Sequence, residues 1–359
     1  MLVLLGARRT GKTFFIKELI ENYITEPYIL LNGEDMAVAE IFKIRTVENF
    51  KALVGSKKLL IIDEAQKLPE IGRALKLMID TIEGLKIIAI GSSVFDLSNK
   101  LGEPLTGRKW DYYMYPFSQS EYSLTENLIE TKSRLEQRLI FGSYPELLQY
   151  KSSNEKASYL NELINSYLFR DILEYDGIRN SDKILHILTL IAFQIGKEVS
   201  LEEIGRKVGI SRNTVEKYLD LLSKVFVIFK LRGFSRNLRN EITKTSRWFF
   251  YDNGIRNALI SNFNSLTLRN DIGELWENYL ISERIKYQYN NNIFVNNYFW
   301  RTYQQQEIDL IEEKDGKLYA YEIKWNPHKK VKIPKSWKNA YPDSEFTVIN
   351  RDNYLEWIT

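Results

Sequence analysis

Residues 6–13 read Gly6-Ala7-Arg8-Arg9-Thr10-Gly11-Lys12-Thr13, directly behind the apolar run Met1-Leu2-Val3-Leu4-Leu5. A Gly-x-x-x-x-Gly-Lys-Thr pattern between a strand and a helix is the context of a phosphate-binding loop. Gly6 and Gly11 let the backbone curl, so that successive N–H groups turn toward an anion. Lys12 supplies a point charge for the β- and γ-phosphates, and the Thr13 hydroxyl can hold Mg²⁺. Residues 14–22 continue as a helix, whose positive N-terminal end faces the anion. The expected contact set is Gly6 to Phe14, with Ala7, Arg8, Arg9 and Thr10 inside the loop.

Two further strands complete the pattern. Leu59-Leu60-Ile61-Ile62 is a run of four aliphatics that suits a strand buried on both faces. It ends in Asp63-Glu64, at the edge where open α/β sheets bind ligands. Asp63 can hold the Mg²⁺ shell, and Glu64 is then free to deprotonate a water. Lys86-Ile87-Ile88-Ala89-Ile90-Gly91 ends in Ser92-Ser93, which brings polar groups to the same edge.

Bulk properties bound what remains. A chain of 359 residues allows two or three domains. With no cysteine, neither disulfides nor thiolate zinc sites can form, and two histidines argue against a His-rich metal site. No apolar run reaches the length of a membrane span, so a soluble cytoplasmic protein with no membrane partner is expected. Net charge is only +3, but it is unevenly placed. Residues 206–247 hold eleven Lys and Arg against Glu216, Asp220 and Glu241, and residues 324–338 hold six Lys and no acid.

The pattern along the chain divides it into four. Residues 1–120 alternate strands and helices, as a parallel α/β core does. Residues 121–178 read as a helical lid. Residues 179–255 contain a helix-turn-helix. There Ser200-Leu201-Glu202-Glu203 is a capping box, Gly209 is a break, and Ser211 caps a second helix carrying Arg212, Asn213, Thr214 and Lys217. Strand-like Val225–Leu231 and Trp248–Tyr251 follow, which makes a winged helix. Such a helix enters a DNA major groove or serves only as a packing module. Residues 256–359 form the last domain, opening with an amphipathic helix over 271–288.

The last domain holds a second site. Asp315-Gly316 is a two-residue hairpin signal. With those two residues as the loop, Lys314 pairs with Lys317, Asp309 lies opposite Glu322, and Glu307 lies opposite Lys324. Ile308, Leu310, Tyr321 and Ile323 then take the other face. Like charges directly across a sheet are destabilising. A divalent cation between Asp309 and Glu322 removes the objection, with Lys324 beside it. Glu277, on the upstream helix, is the expected additional acid. A solvated hairpin face is the plain alternative.

Taken with these motifs, the whole chain resembles the bacterial and archaeal AAA-type ATPases that join a P-loop domain to a helical lid, a winged helix and a restriction-endonuclease-like C-terminal domain. The resemblance rests on the phosphate loop, Ile61-Ile62-Asp63-Glu64-Ala65-Gln66, Ile90-Gly91-Ser92-Ser93 and Leu105-Thr106-Gly107-Arg108. It continues through Tyr115–Ser118, Gly142–Pro145, Phe169-Arg170-Asp171-Ile172 and Tyr251-Asp252-Asn253-Gly254 to the Glu-x-Lys hairpin. It implies ATP and Mg²⁺ as cofactors, Ser92 or Ser93 as γ-phosphate sensor, and Arg108 as an arginine finger. Relatives of this kind usually carry a segment ahead of the first strand that can cover the adenine. This chain opens at the strand, which leaves base selectivity open.

The expected function is therefore an Mg²⁺-dependent ATPase coupled to a nucleic-acid-binding or nuclease-like domain. DNA, another nucleic acid or a protein is the expected partner, and a homo-oligomer is compatible with it. Two alternatives stay open: a nucleotide-gated regulatory scaffold with an inactive nuclease fold, and a winged-helix transcription regulator.

Overall fold

The structure is a computed structural model that describes residues 1–92, 105, 107–168, 181–235 and 246–359. It divides into two compact units, residues 1–115 with 224–226, and residues 116–223 with 227–359.

The first unit is an α/β sheet. Its elements are β1 (Leu2–Gly6), α1 (Lys12–Tyr23), β2 (Tyr28–Asn32), α2 (Met36–Lys43), α3 (Val47–Val54), β3 (Leu59–Asp63), α4 (Ile71–Thr81), β4 (Lys86–Gly91) and β5 (Trp110–Met114). All pairings are parallel, in the order β2-β3-β4-β1-β5. Leu60, Ile61 and Ile62 are fully buried, as a continuous apolar run in a central strand requires. From β1 the chain runs out to β2 and fills back through β3 and β4. It then crosses to β5 on the other side of β1. The strand order therefore reverses between β1 and β4, and open sheets bind ligands beyond the carboxyl ends of such a switch point.

The second unit carries the helices α5 (Gln119–Tyr122), α6 (Leu128–Phe141), α7 (Ser153–Glu162) and α8 (Ser181–Phe193). Complete capping boxes open α5, α6 and α7, at Ser118/Glu121, Asn127/Glu130 and Ser152/Glu155. Next come β6 (Glu198–Val199), α9 (Leu201–Val208), α10 (Arg212–Lys224), β7 (Ile228–Gly233), β8 (Ser246–Phe250) and α11 (Asn253–Leu259). The chain continues with α12 (Ile272–Asn290), β9 (Asn296–Arg301), β10 (Glu307–Lys314), β11 (Lys317–Ile323), α13 (Lys335–Ala340), β12 (Glu345–Ile349) and α14 (Tyr354–Ile358).

One seven-stranded sheet runs through this unit in the order β12-β11-β10-β9-β7-β8-β6. The strands expected to belong to the winged helix are thus continuous with those of the last domain. The join is a parallel pairing of β7 with β9, through Arg232 with Tyr298 and Gly233 with Phe299. Two sequence motifs also meet here. Asp252 caps α11 by accepting the N–H groups of Gly254 and Ile255, and its other oxygen takes the N–H of Ser143 at 2.7 Å.

Three expectations need correction. The helix over 271–288 is present as α12 but is not amphipathic, because Asn278, Ser282, Glu283, Lys286 and Gln288 are buried along with its apolar residues. Ser200 accepts the Glu203 N–H at 3.2 Å, but its own carboxylate contact is with Glu202, so the capping box is half made. Ile308 packs with Ile311, Leu318 and Ala320 rather than sharing a face with Leu310. The cause is an irregularity in the β9–β10 ladder between Ile308 and Ile311, which breaks simple alternation.

Candidate functional site

The first site lies at the carboxyl ends of β1, β3 and β4. Gly6 closes β1 under a hard constraint, since a Cβ there would stand 2.1 Å from the Met114 carbonyl oxygen of β5. Helix α1 begins behind Gly11 with no side-chain cap and no acid in its first turn. An uncapped helix start with no acid beside it is electropositive and suits an anion. Lys12 is buried, and its ammonium donates to the carbonyls of Gly6 (2.9 Å) and Ala7 (2.7 Å). Thr10 is buried and bonds Ala7 at 2.8 Å, which stiffens the loop. Arg9 sits at φ 64° and is exposed, Arg8 is half-buried, and Phe14 is exposed on the first turn of α1.

Thr13 donates its hydroxyl hydrogen to Asp63 at 2.9 Å, so the two expected Mg²⁺-holding groups are in direct contact. The adjacent Glu64 has a positive φ of 49°. Such a backbone is costly for a non-glycine residue, and it sets the carboxylate off the strand axis. Burial pushes the Glu64 pKa above its ordinary value, against the nearby charges of Arg8 and Lys12. Gln66 donates to both Glu64 and Ser92, the latter at 3.2 Å. The sequence motif contained Gln66, but a neutral amide two residues past the acids offered no chemistry to single it out. Ser93 lies outside the described residues, as do Thr106 and Phe169–Ile172.

Arg108 is not brought to this edge. Its guanidinium pairs with Asp80, near the carboxyl end of α4, at 2.8 Å. Its carbonyl accepts from the N-terminal amine of Met1, at the start of β1. Both contacts belong to the opposite end of the sheet. The motif spacing carried no information on which edge the Arg108 segment would reach.

The second site is built on β8, α12, β10 and β11. Asp315 and Gly316 both have positive φ, 52° and 76°, and Lys314 pairs with Lys317 as the turn residues require. The ladder runs up to Leu310 opposite Tyr321. Beyond it the Asp309 carboxylate, rather than its backbone, accepts the Ile323 N–H at 2.8 Å. The Lys324 ammonium lies 2.6 Å from Glu322 and 3.5 Å from Asp309, so all three converge. Glu277 approaches from α12.

A residue not singled out from sequence lies among them. Arg247 of β8 has a side chain only 4 % exposed, 2.8 Å from Glu307, 3.7 Å from Glu277 and 4.0 Å from Asp309. Its signal in the sequence was a lone charge directly ahead of the apolar run Trp248-Phe249-Phe250. Glu277 and Glu322 each keep one buried carboxylate oxygen without a hydrogen-bond partner. Burial, followed by the Asp309 charge, pushes Glu322 up to about 7 and Glu277 well above the carboxylate range. Lys324 is pulled down by burial, but the charges of Asp309 and Glu322 outweigh this and raise it.

Among the described residues, no three His, Cys, Asp or Glu side chains form a ready-made metal cage. The donor chemistry nonetheless suits a hard cation, because every ligand is oxygen and two of the oxygens lack partners. The other expected interface is exposed. Arg212, Asn213 and Lys217 face outward on α10, while Val215, Tyr218, Leu219 and Leu222 are buried. No described helix is long and apolar enough to cross a membrane.

Comparison with known proteins accords with the first site. Residues 1–123 match the family model of an AAA domain. They form an AAA-type P-loop domain. Residues 132–266 and 272–357 each match a domain of unknown function. An uncharacterized protein of Methanocaldococcus jannaschii is 25 % identical over 97 % of this chain and 80 % of its own length. One of Mycobacterium tuberculosis is 25 % identical over 90 % of this chain and 70 % of its own. One of Haemophilus influenzae is 24 % identical over 91 % and 84 %. Among solved structures, a DNA replication initiation factor aligns with TM-score 0.26 and 16 % identity over 62 % of this chain and 81 % of its own. Drosophila ORC bound to AT-rich DNA and Cdc6 aligns with TM-score 0.24 and 11 % identity over 73 % and 86 %. Likeness at that level is too low to indicate function.

Proposed function

We propose that the chain is an Mg²⁺-dependent ATPase coupled to a nucleic-acid-binding or nuclease-like C-terminal part. The observation that carries the ATPase reading is the contact of Thr13 with Asp63 at 2.9 Å, with Glu64 next to it on the same strand end. Lys12 and the first turn of α1 bind the phosphates. Thr13 and Asp63 would hold Mg²⁺, which neutralises charge on the β- and γ-phosphates. Glu64 orients a water and takes its proton, and Gln66 ties Glu64 to Ser92. In this reading the core spans residues 1–120, the lid 121–178, the winged helix 179–255 and the nuclease-like part 256–359.

For the C-terminal part, Asp309, Glu322 and Glu277 would hold a divalent cation, with Lys324 steadying negative charge. The exposed Lys329, Lys330, Lys332 and Lys335 follow Lys324 in the chain and suit a phosphate backbone. The competing reading is a nucleotide-gated scaffold that cuts nothing. What favours it is that Arg247 and Lys324 already neutralise part of the acid cluster.

The test is a set of assays on the full chain. Mg·ATP is expected to raise the melting temperature of the wild type, by mass action on the native state. Lys12→Ala is expected to lose that shift and all ATP turnover while keeping the circular dichroism spectrum. Nuclease assays on DNA and RNA with Mg²⁺ and Mn²⁺, beside Asp309→Ala, separate the two C-terminal readings. Cleavage lost in Asp309→Ala with ATP turnover retained supports the nuclease. ATP turnover with no cleavage of any substrate supports the scaffold, and the absence of any response to Mg·ATP removes both.

A further inference from the structure

The acid cluster holds four carboxylates, Glu277, Glu307, Asp309 and Glu322, against two fixed cations, Arg247 and Lys324. With all six groups charged, the balance is two negative charges, the charge of one divalent ion. The two cations are not spread evenly. Lys324 serves Glu322 and Asp309 from the hairpin. Arg247 lies on the other flank, among Glu307, Glu277 and Asp309.

We propose that Arg247 is a resident cation of this cluster that limits it to one divalent ion, bound on the Glu322 side, and sets how tightly that ion is held. The inference rests on the metal-binding reading of Asp309 and Glu322 given above. Three observations carry it. Arg247 is almost wholly buried, so its charge acts on the carboxylates without the screening of bulk water. It is also seated by two contacts, its guanidinium carbon 4.6 Å from the centre of the Phe299 ring and its Nη2 on Glu307, while its Nε has no hydrogen-bond partner. Finally, the oxygens without hydrogen-bond partners are on Glu322 and Glu277, whereas Asp309 already accepts from the Ile323 N–H. The open Glu322 oxygen, Oε2, is the one that Lys324 does not hold, whereas the open Glu277 oxygen, Oε1, faces the Arg247 guanidinium at 3.7 Å; Arg247 thus covers donor capacity that a second ion would need. A divalent ion entering on the Arg247 flank would meet a like charge fixed in place.

The proposal is tested by Mn²⁺ binding to the nucleotide-free full chain, with free Mn²⁺ read by electron paramagnetic resonance. The wild type is expected to bind one Mn²⁺ that Asp309→Asn loses. Arg247→Met removes the charge at similar volume. It is expected either to tighten Mn²⁺ at least tenfold or to bind a second ion. Arg247→Lys is expected to keep one ion. Arg247→Met with Glu277→Gln, which removes one charge of each sign, is expected to return the wild-type stoichiometry. Should Arg247→Met fold only when Mn²⁺ is added, the ion has replaced the missing charge, which also supports the proposal. Wild-type stoichiometry and affinity in Arg247→Met would overturn it. If the wild type binds no Mn²⁺ that depends on Asp309, the metal reading itself fails for the native chain. Arg247 is then still judged by whether Arg247→Met gains an ion. If neither protein binds one, both ideas fall.

Discussion

Glu64 and Asp63 are neighbours with different duties, and their surroundings show why. Asp63 ends its strand in line and takes the Thr13 hydroxyl, whereas Glu64 turns through a positive φ and is held by Gln66. Glu64→Gln keeps this shape and removes the proton acceptor. ATP should still bind, and turnover should fall by about 10²–10⁴-fold. Undiminished turnover in that variant would assign the base elsewhere. A pH profile adds the sign. Glu64 accepts a proton only when ionised, and burial raises its pKa above 4.5. Turnover should therefore fall as pH drops through a value higher than that of an ordinary glutamate. Single-turnover rates from pH 4.5 upward would show the limb; one centred at or below 4.5 would contradict the assignment.

At the scale of elements, α12 departs most from the usual surface helix. Its buried polar residues have partners: Asn278, Ser282, Glu283 and Lys286 bind backbone, and Gln288 binds the side chains of Asn297 and Glu312. Asn278 is fully buried, accepts the Phe250 N–H at 2.7 Å and donates to the Phe250 carbonyl at 3.1 Å. It thereby locks α12, which carries Glu277, to β8, which carries Arg247. Asn278→Leu strands those backbone groups in the interior and should cost about 2–3 kcal/mol of stability, read from urea unfolding. Because the helix would loosen against β8, its effect on Mn²⁺ affinity should exceed that of a substitution on the exposed end of α12, such as Asn290→Ala. Equal effects would deny α12 and β8 a shared role in the site.

Across the whole molecule, the nucleotide site lies in one compact unit and the acid cluster in the other. Each unit has its own sheet and buried core. Calorimetry should resolve two unfolding transitions. Mg·ATP at about 100-fold above its dissociation constant should stabilise the P-loop unit by about 2.7 kcal/mol. Lys12→Ala should erase that shift alone, and Asp309→Asn should erase only a shift caused by Mn²⁺ in the absence of nucleotide. A single transition moved bodily by either ligand would mean that the units unfold as one.

Sequence by itself determined the parts that depend on neighbours along the chain. The phosphate loop follows from the spacing of Gly6, Gly11, Lys12 and Thr13, the buried β3 from its unbroken aliphatic run, and the hairpin register from Asp315-Gly316 as far as Leu310 opposite Tyr321, beyond which the expected pairings of Asp309 with Glu322 and Glu307 with Lys324 are not part of the ladder. The same local logic marked Glu277, Asp309, Glu322 and Lys324. Only the tertiary structure decided the rest. A strand irregularity set Ile308 with Ile311, since alternation holds only while the ladder is regular. A parallel pairing of β7 with β9 merged the expected winged-helix strands with the last domain, and long-range pairing has no signature within either strand. Arg108 ended beside Asp80 rather than at the phosphate loop, and Arg247 ended among three carboxylates. Both are questions of which distant charge a side chain meets, and that is settled by how the strands are ordered in space.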